Sequence, residues 1–96
     1  MLRKHYLLAY DISDDKRRTR VFKTLLNYGD HAQFSVFFCE LTRRELAELR
    51  SELLPLINAA QDQVLIVDLG PATSALREGV ECLGRPYRPA PRVLVV

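Results

Sequence analysis

The sequence predicts an α+β domain, a ferredoxin-like βαββαβ sandwich with an extra strand at its C-terminal end. Three observations lead there. Apolar residues recur with a two-residue period in the stretches 6–12, 31–41 and 63–69. The stretches between them carry apolar residues at helical spacing, and each opens on a capping signal. The resulting order is strand, helix, strand or hairpin, helix, strand. It sets two helices on one face of an antiparallel sheet.

The chain has 96 residues, enough for one domain with a core of limited size. Residues 1–84 read as the core domain, and 85–96 as an arm and terminal strand that invites pairing with a sheet edge, its own or a partner subunit's. Apolar residues make up 48% and charged residues 27%, the ordinary balance of a globular protein. Cys39 and Cys82 match no metal spacing and read as small buried thiols in a reducing compartment. No stretch reads as a signal peptide or a membrane span, so a cytoplasmic protein is expected. There is no phosphate-binding glycine loop, dinucleotide pattern, zinc spacing or nucleophile elbow. Net charge is only +2, but its distribution is uneven. Arg3, Lys4, Lys16, Arg17, Arg18, Arg20 and Lys23 crowd the first stretch, and Arg85, Arg88 and Arg92 the last. Such clusters are solvated faces taken singly, and a phosphate-binding surface if folding or dimerisation unites them.

The first strand is the most informative. Tyr6, Leu8, Tyr10 and Ile12 fall on one face, and Leu7, Ala9 and Asp11 on the other. Both faces are apolar up to Asp11, as in a central strand. A carboxylate there is costly unless it is paired, hydrogen-bonded, near water or holding a metal. Asp11 therefore either caps the turn or pairs with an arginine of the next helix, or it ligates a hard cation.

Ser13 or Asp14 is the N-cap of the first helix, with Asp14 and Asp15 at its positive end. The helix should run to about Tyr28 and stop at Gly29 as its C′ residue. Val21, Phe22, Leu25 and Leu26 form its apolar stripe, and Lys16, Arg20, Lys23 and Asn27 the opposite face. Arg18 lies one turn before Phe22 and so points toward the sheet, near Asp11. An Asp11–Arg18 pair and an arginine gripping phosphate beside a metal-bound carboxylate both fit.

Gly29 and Asp30 make a turn, and 31–41 reads as two short strands bent near 35–37. Their phenylalanines, Phe34, Phe37 and Phe38, read as core before base-stacking platforms. Thr42-Arg43-Arg44-Glu45 is a capping box, followed by Leu46, Leu49, Leu53 and Leu56 at helical spacing, with Pro55 ending the helix near Leu54. The next strand, 63–69, is stopped by Gly70-Pro71, and its Asp68 reads as an edge or strand-end residue. A short irregular helix follows over 72–84, then an extended arm to 91 and a terminal strand, 93–96. The sheet face turned from the helices is expected to carry Leu8, Tyr10 and the aromatic strand residues. With no helix to cover it, dimerisation is the natural solution. One Asp11 is a poor site for Mg²⁺ or Mn²⁺, but two across a two-fold axis suffice, since such a cation keeps several waters.

The run Tyr10-Asp11-Ile12-Ser13-Asp14-Asp15-Lys16-Arg17-Arg18, then Leu25-Leu26-Asn27-Tyr28-Gly29, then Gln33-Phe34-Ser35-Val36-Phe37, resembles the small core CRISPR-associated proteins of the Cas-two family. The likeness extends from Tyr6 to Leu69. It implies a ferredoxin-like homodimer whose C-terminal strand joins the partner's sheet. It implies metal-dependent endoribonuclease or DNase activity, and a place at the centre of the spacer-integration complex with the Cas-one integrase, on duplex DNA or single-stranded RNA. It carries the family's metal-binding, catalytic aspartate onto Asp11, and neighbouring functional positions onto Tyr10, Arg18, Arg20 and Phe37. His31 departs from the family, many of whose members carry arginine there. A phosphate contact at His31 would then depend on imidazole protonation.

Overall fold

The apolar run at the head of the chain forms β1, Lys4–Asp11, and the other strands are placed by it. β1 lies between β3 (Val36–Leu41) and β4 (Gln63–Pro71), antiparallel to both. β2 (Gly29–Gln33) completes the sheet beside β3, giving the order β2-β3-β1-β4. With α1 (Asp15–Leu26) and α2 (Arg43–Leu53) as the crossovers, this is the expected ferredoxin-like arrangement. The computed structural model describes residues 2–73 and 79–87.

Both helices cover one face. Tyr6, Leu8, Tyr10 and Ile12 are buried together with Val21 and Leu25 of α1 and Leu46, Leu49 and Leu53 of α2. Tyr6 stands opposite Cys39, and Leu8 opposite Phe37, so β3 adds its own alternate residues to the same layer. The open face therefore carries Leu7, Ala9, Phe38, Leu65 and Val67, and not the expected Leu8 and Tyr10. The cause is parity: a shift of one residue in a strand exchanges every side chain between faces. Tyr87 packs edge-on to Phe38, with ring centroids 5.7 Å apart, so the chain folds back over part of this face.

α2 opens as its capping box predicts. The Glu45 N–H donates to the Thr42 hydroxyl at 3.1 Å, and the Thr42 N–H to the Glu45 carboxylate at 2.9 Å. The helix ends at Leu53 in a 3₁₀ turn, Leu54–Leu56, which contains Pro55. Asp68 lies on edge strand β4, as expected, in an ion pair with Lys4 at 3.0 Å.

Four expectations are corrected. α1 ends at Leu26 with Asn27 as its cap, and Gly29 is a buried strand residue instead of a C′ glycine. Phe34 is the turn between β2 and β3 instead of core, and its φ is +29°. That conformation costs a non-glycine residue on the order of 1 kcal/mol. Cys39 is buried but Cys82 is exposed. No residue described in 72–84 is helical. The terminal strand expected at 93–96 lies outside the described residues.

Gly29 is required by a close approach. A Cβ built on it would lie 2.3 Å from Cys39 Sγ and 2.5 Å from the Phe38 carbonyl oxygen. The backbone oxygen cannot rotate away, so Gly29→Ala must push β2 off β3. The expected cost is that of an overpacked core, about 1–3 kcal/mol, or a fall in Tm of roughly 4–20 °C. Thermal melting followed by circular dichroism checks it; an alanine variant melting with the wild type would contradict this contact.

Candidate nucleic-acid and metal site

Asp11 ends β1 with its side chain exposed and turned to the open face, opposite Gln63 of β4. No hydrogen bond or ion pair holds its carboxylate among the described residues. Arg18 is on the other side of the sheet. Its guanidinium donates to the Ile12 carbonyl at 3.0 Å and the Ser13 carbonyl at 3.2 Å, and it pairs with Asp15. The Asp11–Arg18 pair thus does not form. Arg18 instead ties down the loop that follows Asp11.

That loop has a second fastening, on Arg17. Asp14 caps α1 by accepting from the Arg17 N–H at 2.9 Å. The Arg17 side chain reaches the α2–β4 loop, where Nε and Nη2 donate to the two carboxylate oxygens of Asp62 at 2.7 and 3.1 Å. Asp62 has 0% side-chain exposure and also accepts from the Asn58 N–H at 2.8 Å. Two-pronged pairing of this kind is the strongest that arginine makes. No sequence signal marks it, because Asp62 lies 45 residues from Arg17.

The arginines and lysines of the first stretch divide cleanly. Arg3 pairs with Glu45, Lys4 with Asp68, Arg17 with Asp62 and Arg18 with Asp15. Lys16, Arg20 and Lys23 are exposed on α1 and enter no ion pair among the described residues. They form the cationic face that helical spacing predicts.

The aromatic candidates behave differently. Phe37 is fully buried, edge-on to Phe22 at 5.6 Å, so it offers no surface to a base. It packs in the core, as the residue pattern predicts. Tyr10 is also buried on the helix side. Burial pushes its hydroxyl pKa up, against the opposing charge of nearby Arg18. His31 packs between Phe22 and Phe37, with centroids at 4.9 and 5.0 Å. Its Nε2–H donates to the Phe34 carbonyl at 2.6 Å, which anchors the turn. The structure thus joins Tyr10, Arg18 and His31 around the β2–β3 turn and leaves Asp11 on the opposite face. Among the described residues, no three His, Cys, Asp or Glu side chains are grouped as for a metal, and no helix is long and apolar enough to cross a membrane.

Residues 4–75 match the family described as CRISPR associated protein Cas2. The chain is 36% identical over 91 residues to a CRISPR-associated endoribonuclease Cas2 of Geobacter sulfurreducens, covering 95% of each chain. It is 41% identical over 91 residues to a second such protein, from Rhodospirillum rubrum, covering 95% of this chain and 88% of that one. Among solved structures, Streptococcus pyogenes Cas2 at pH 6.5 is similar with a TM-score of 0.72 and 29% identity, covering 83% of this chain and 99% of that one.

The Arg17–Asp62 clasp has a pH signature. Hydrogen bonds from Arg17 and then from the Asn58 amide hold the Asp62 pKa below the usual carboxylate range. A carboxylate lowered on folding stabilises the fold above its unfolded pKa, near 4, and loses that effect as pH falls through the folded value. Tm should therefore drop as pH falls from about 4. Asp62→Asn should lower Tm at neutral pH and make the acid drop shallower, with Asp14, Glu45 and Asp68 keeping part of it. Parallel melting curves from pH 2 to 7 test this, and superimposable acid slopes would exclude the clasp as a source of the drop.

Proposed function

The chain belongs to the Cas2 family of CRISPR associated proteins, and from that premise we propose that it serves spacer acquisition as a nucleic-acid-binding homodimer with an endoribonuclease-type phosphodiester hydrolase centre at Asp11. In this reading it acts in the cytoplasm together with the Cas1 integrase. The carrying observation is the division of charge. Four of the seven cations between residues 1 and 23 are bound to carboxylates, and the remaining three share one exposed helix face. Lys16, Arg20 and Lys23 contact backbone phosphates, which set affinity without reading sequence.

Asp11 adds the chemistry. It offers a hard oxygen donor of the type Mg²⁺ or Mn²⁺ takes, and a second copy of the chain supplies the second carboxylate. Leu65, Val67 and Leu69 are exposed along β4, an apolar surface for that copy to cover. A divalent cation between the two aspartates would neutralise a phosphate and lower the pKa of an attacking water. The protein's own part is to hold the rest of the nucleic-acid backbone through the α1 cations, on the other side of the sheet, and to fix the loop after Asp11 through Arg18 and Arg17.

A second reading rests on the want of further acidic ligands around Asp11 among the described residues. There the same cationic face holds duplex DNA, and the dimer is an adaptor that separates Cas1 dimers without cleaving anything.

Replacing Lys16, Arg20 and Lys23 together by Gln should weaken binding about equally for unrelated sequences. The slope of log affinity against log salt should shrink by up to about 3. An unchanged slope would put the binding face elsewhere.

Asp11→Asn distinguishes the readings. Asp11 has no partner to orphan among the described residues, so stability should stay within the range of a surface change, about 0.5 kcal/mol, with a Tm close to that of the wild type. Divalent-metal-dependent cleavage of RNA by highly purified protein should be abolished. Cleavage that persists at the wild-type rate would remove Asp11 from the chemistry and leave the adaptor.

A further inference from the structure

Phe34 is the most exposed large apolar side chain among the described residues, at 95%. It also has the positive φ that a phenylalanine adopts only when its surroundings impose it. Those surroundings are rigid. His31 holds the Phe34 carbonyl at 2.6 Å, and the Tyr10 N–H donates to the Ser35 carbonyl at 3.1 Å, which bolts the turn to β1. Behind the exposed ring is a concavity of about 290 Å³ between the turn and α1, lined by Tyr10, Arg18, Thr19, Phe22, Phe34 and Ser35. Arg18 supplies a guanidinium to its lining, and Lys23, one helical turn beyond Thr19, is exposed and without an ion pair among the described residues.

From this arrangement we infer that the β2–β3 turn is a stacking site for one unpaired nucleobase of single-stranded RNA or DNA, with Phe34 as its platform. The inference rests on the proposed binding of nucleic acid and adds a substrate form to it. A volume of this size is at the small end of ligand sites and has room for one base, not a duplex. Bases inside a duplex are already stacked on both faces, so the ring is open to an unpaired base and closed to the interior of a duplex. An aromatic face beside cations that track the backbone is the arrangement by which proteins hold single strands. The strained turn presents that face at a fixed angle, so little freedom is lost when a base docks.

The chain contains no tryptophan, so Phe34→Trp creates a single fluorescent reporter at the site. Titration with oligo(U) and oligo(dT) should quench it, and a blunt duplex should not. Phe34→Gly, which tolerates the positive φ, should melt no lower than the wild type. It should bind both oligonucleotides on the order of ten- to a hundred-fold more weakly, with duplex affinity unchanged. Stronger quenching by one oligonucleotide than the other tells RNA from DNA, and either supports the site. Unaltered oligonucleotide affinity in Phe34→Gly, with duplex binding intact, overturns the stacking site and leaves the proposed function standing. Wild-type protein that binds neither form overturns both. Loss of self-association in Phe34→Gly with oligonucleotide binding retained makes Phe34 a protein contact and overturns the inference.

Discussion

Tyr10 and Asp11 are neighbours in the chain, and the two-residue repeat of β1 sends them to opposite faces of the sheet. The core depends on this division, because Tyr6, Leu8, Tyr10 and Ile12 must all meet the helices. The same repeat delivers Asp11 to the side without helices, where its charge keeps its water. Were it on the helix side, the carboxylate would need a partner to offset desolvation, and Arg18 is the α1 cation that turns to that side. Alternation thus leaves Asp11 uncommitted while Arg18 secures the loop beside it.

A second division follows from ion pairing. Arg17 and Arg18 are adjacent, yet one reaches the α2–β4 loop and the other turns back to the β1–α1 loop. Together they fix the start of α1 against both loops. The helix then carries Lys16, Arg20 and Lys23 on a face where no carboxylate among the described residues pairs with them. A net charge of +2 would hardly predict attraction to a polyanion. The surface matters more than the sum, since exposed charges act over about a Debye length and each phosphate meets only its local field.

Much of this was legible in the sequence. The strands, both helices, the capping box and the cationic face are local patterns, carried by residues close in sequence. So was the family likeness, which rests on the spacing of 10–18, 25–29 and 33–37. What could not be read was long-range or geometric. The Asp62 carboxylate meets Arg17 across 45 residues, and nothing in either neighbourhood announces it. Gly29 looked like a helix stop because that is where glycine after a helix is most common, but tight packing on Cys39 is what requires it. Phe37 is core, as read, and Phe34 is not. The bend expected near 35–37 falls on Phe34 and Ser35 instead, which leaves Phe37 opposite Leu8 in the core.

The open face links the fold to the chemistry. Tyr87 lies over Phe38 on β3, while Leu65, Val67 and Leu69 on β4 stay exposed beside β1, whose last residue is Asp11. Apolar surface of this kind is most stable when another protein surface covers it. If the covering surface is a second copy related by a two-fold axis, each residue near the axis meets its own counterpart. Asp11 would then face an identical carboxylate, and two like charges brought close repel unless a proton or a cation lies between them. Burial of the apolar strand would favour that assembly, and the repulsion would make it sensitive to divalent cations. In such a dimer the hydrophobic contact and the metal site are not separate features, because each sets the conditions under which the other forms.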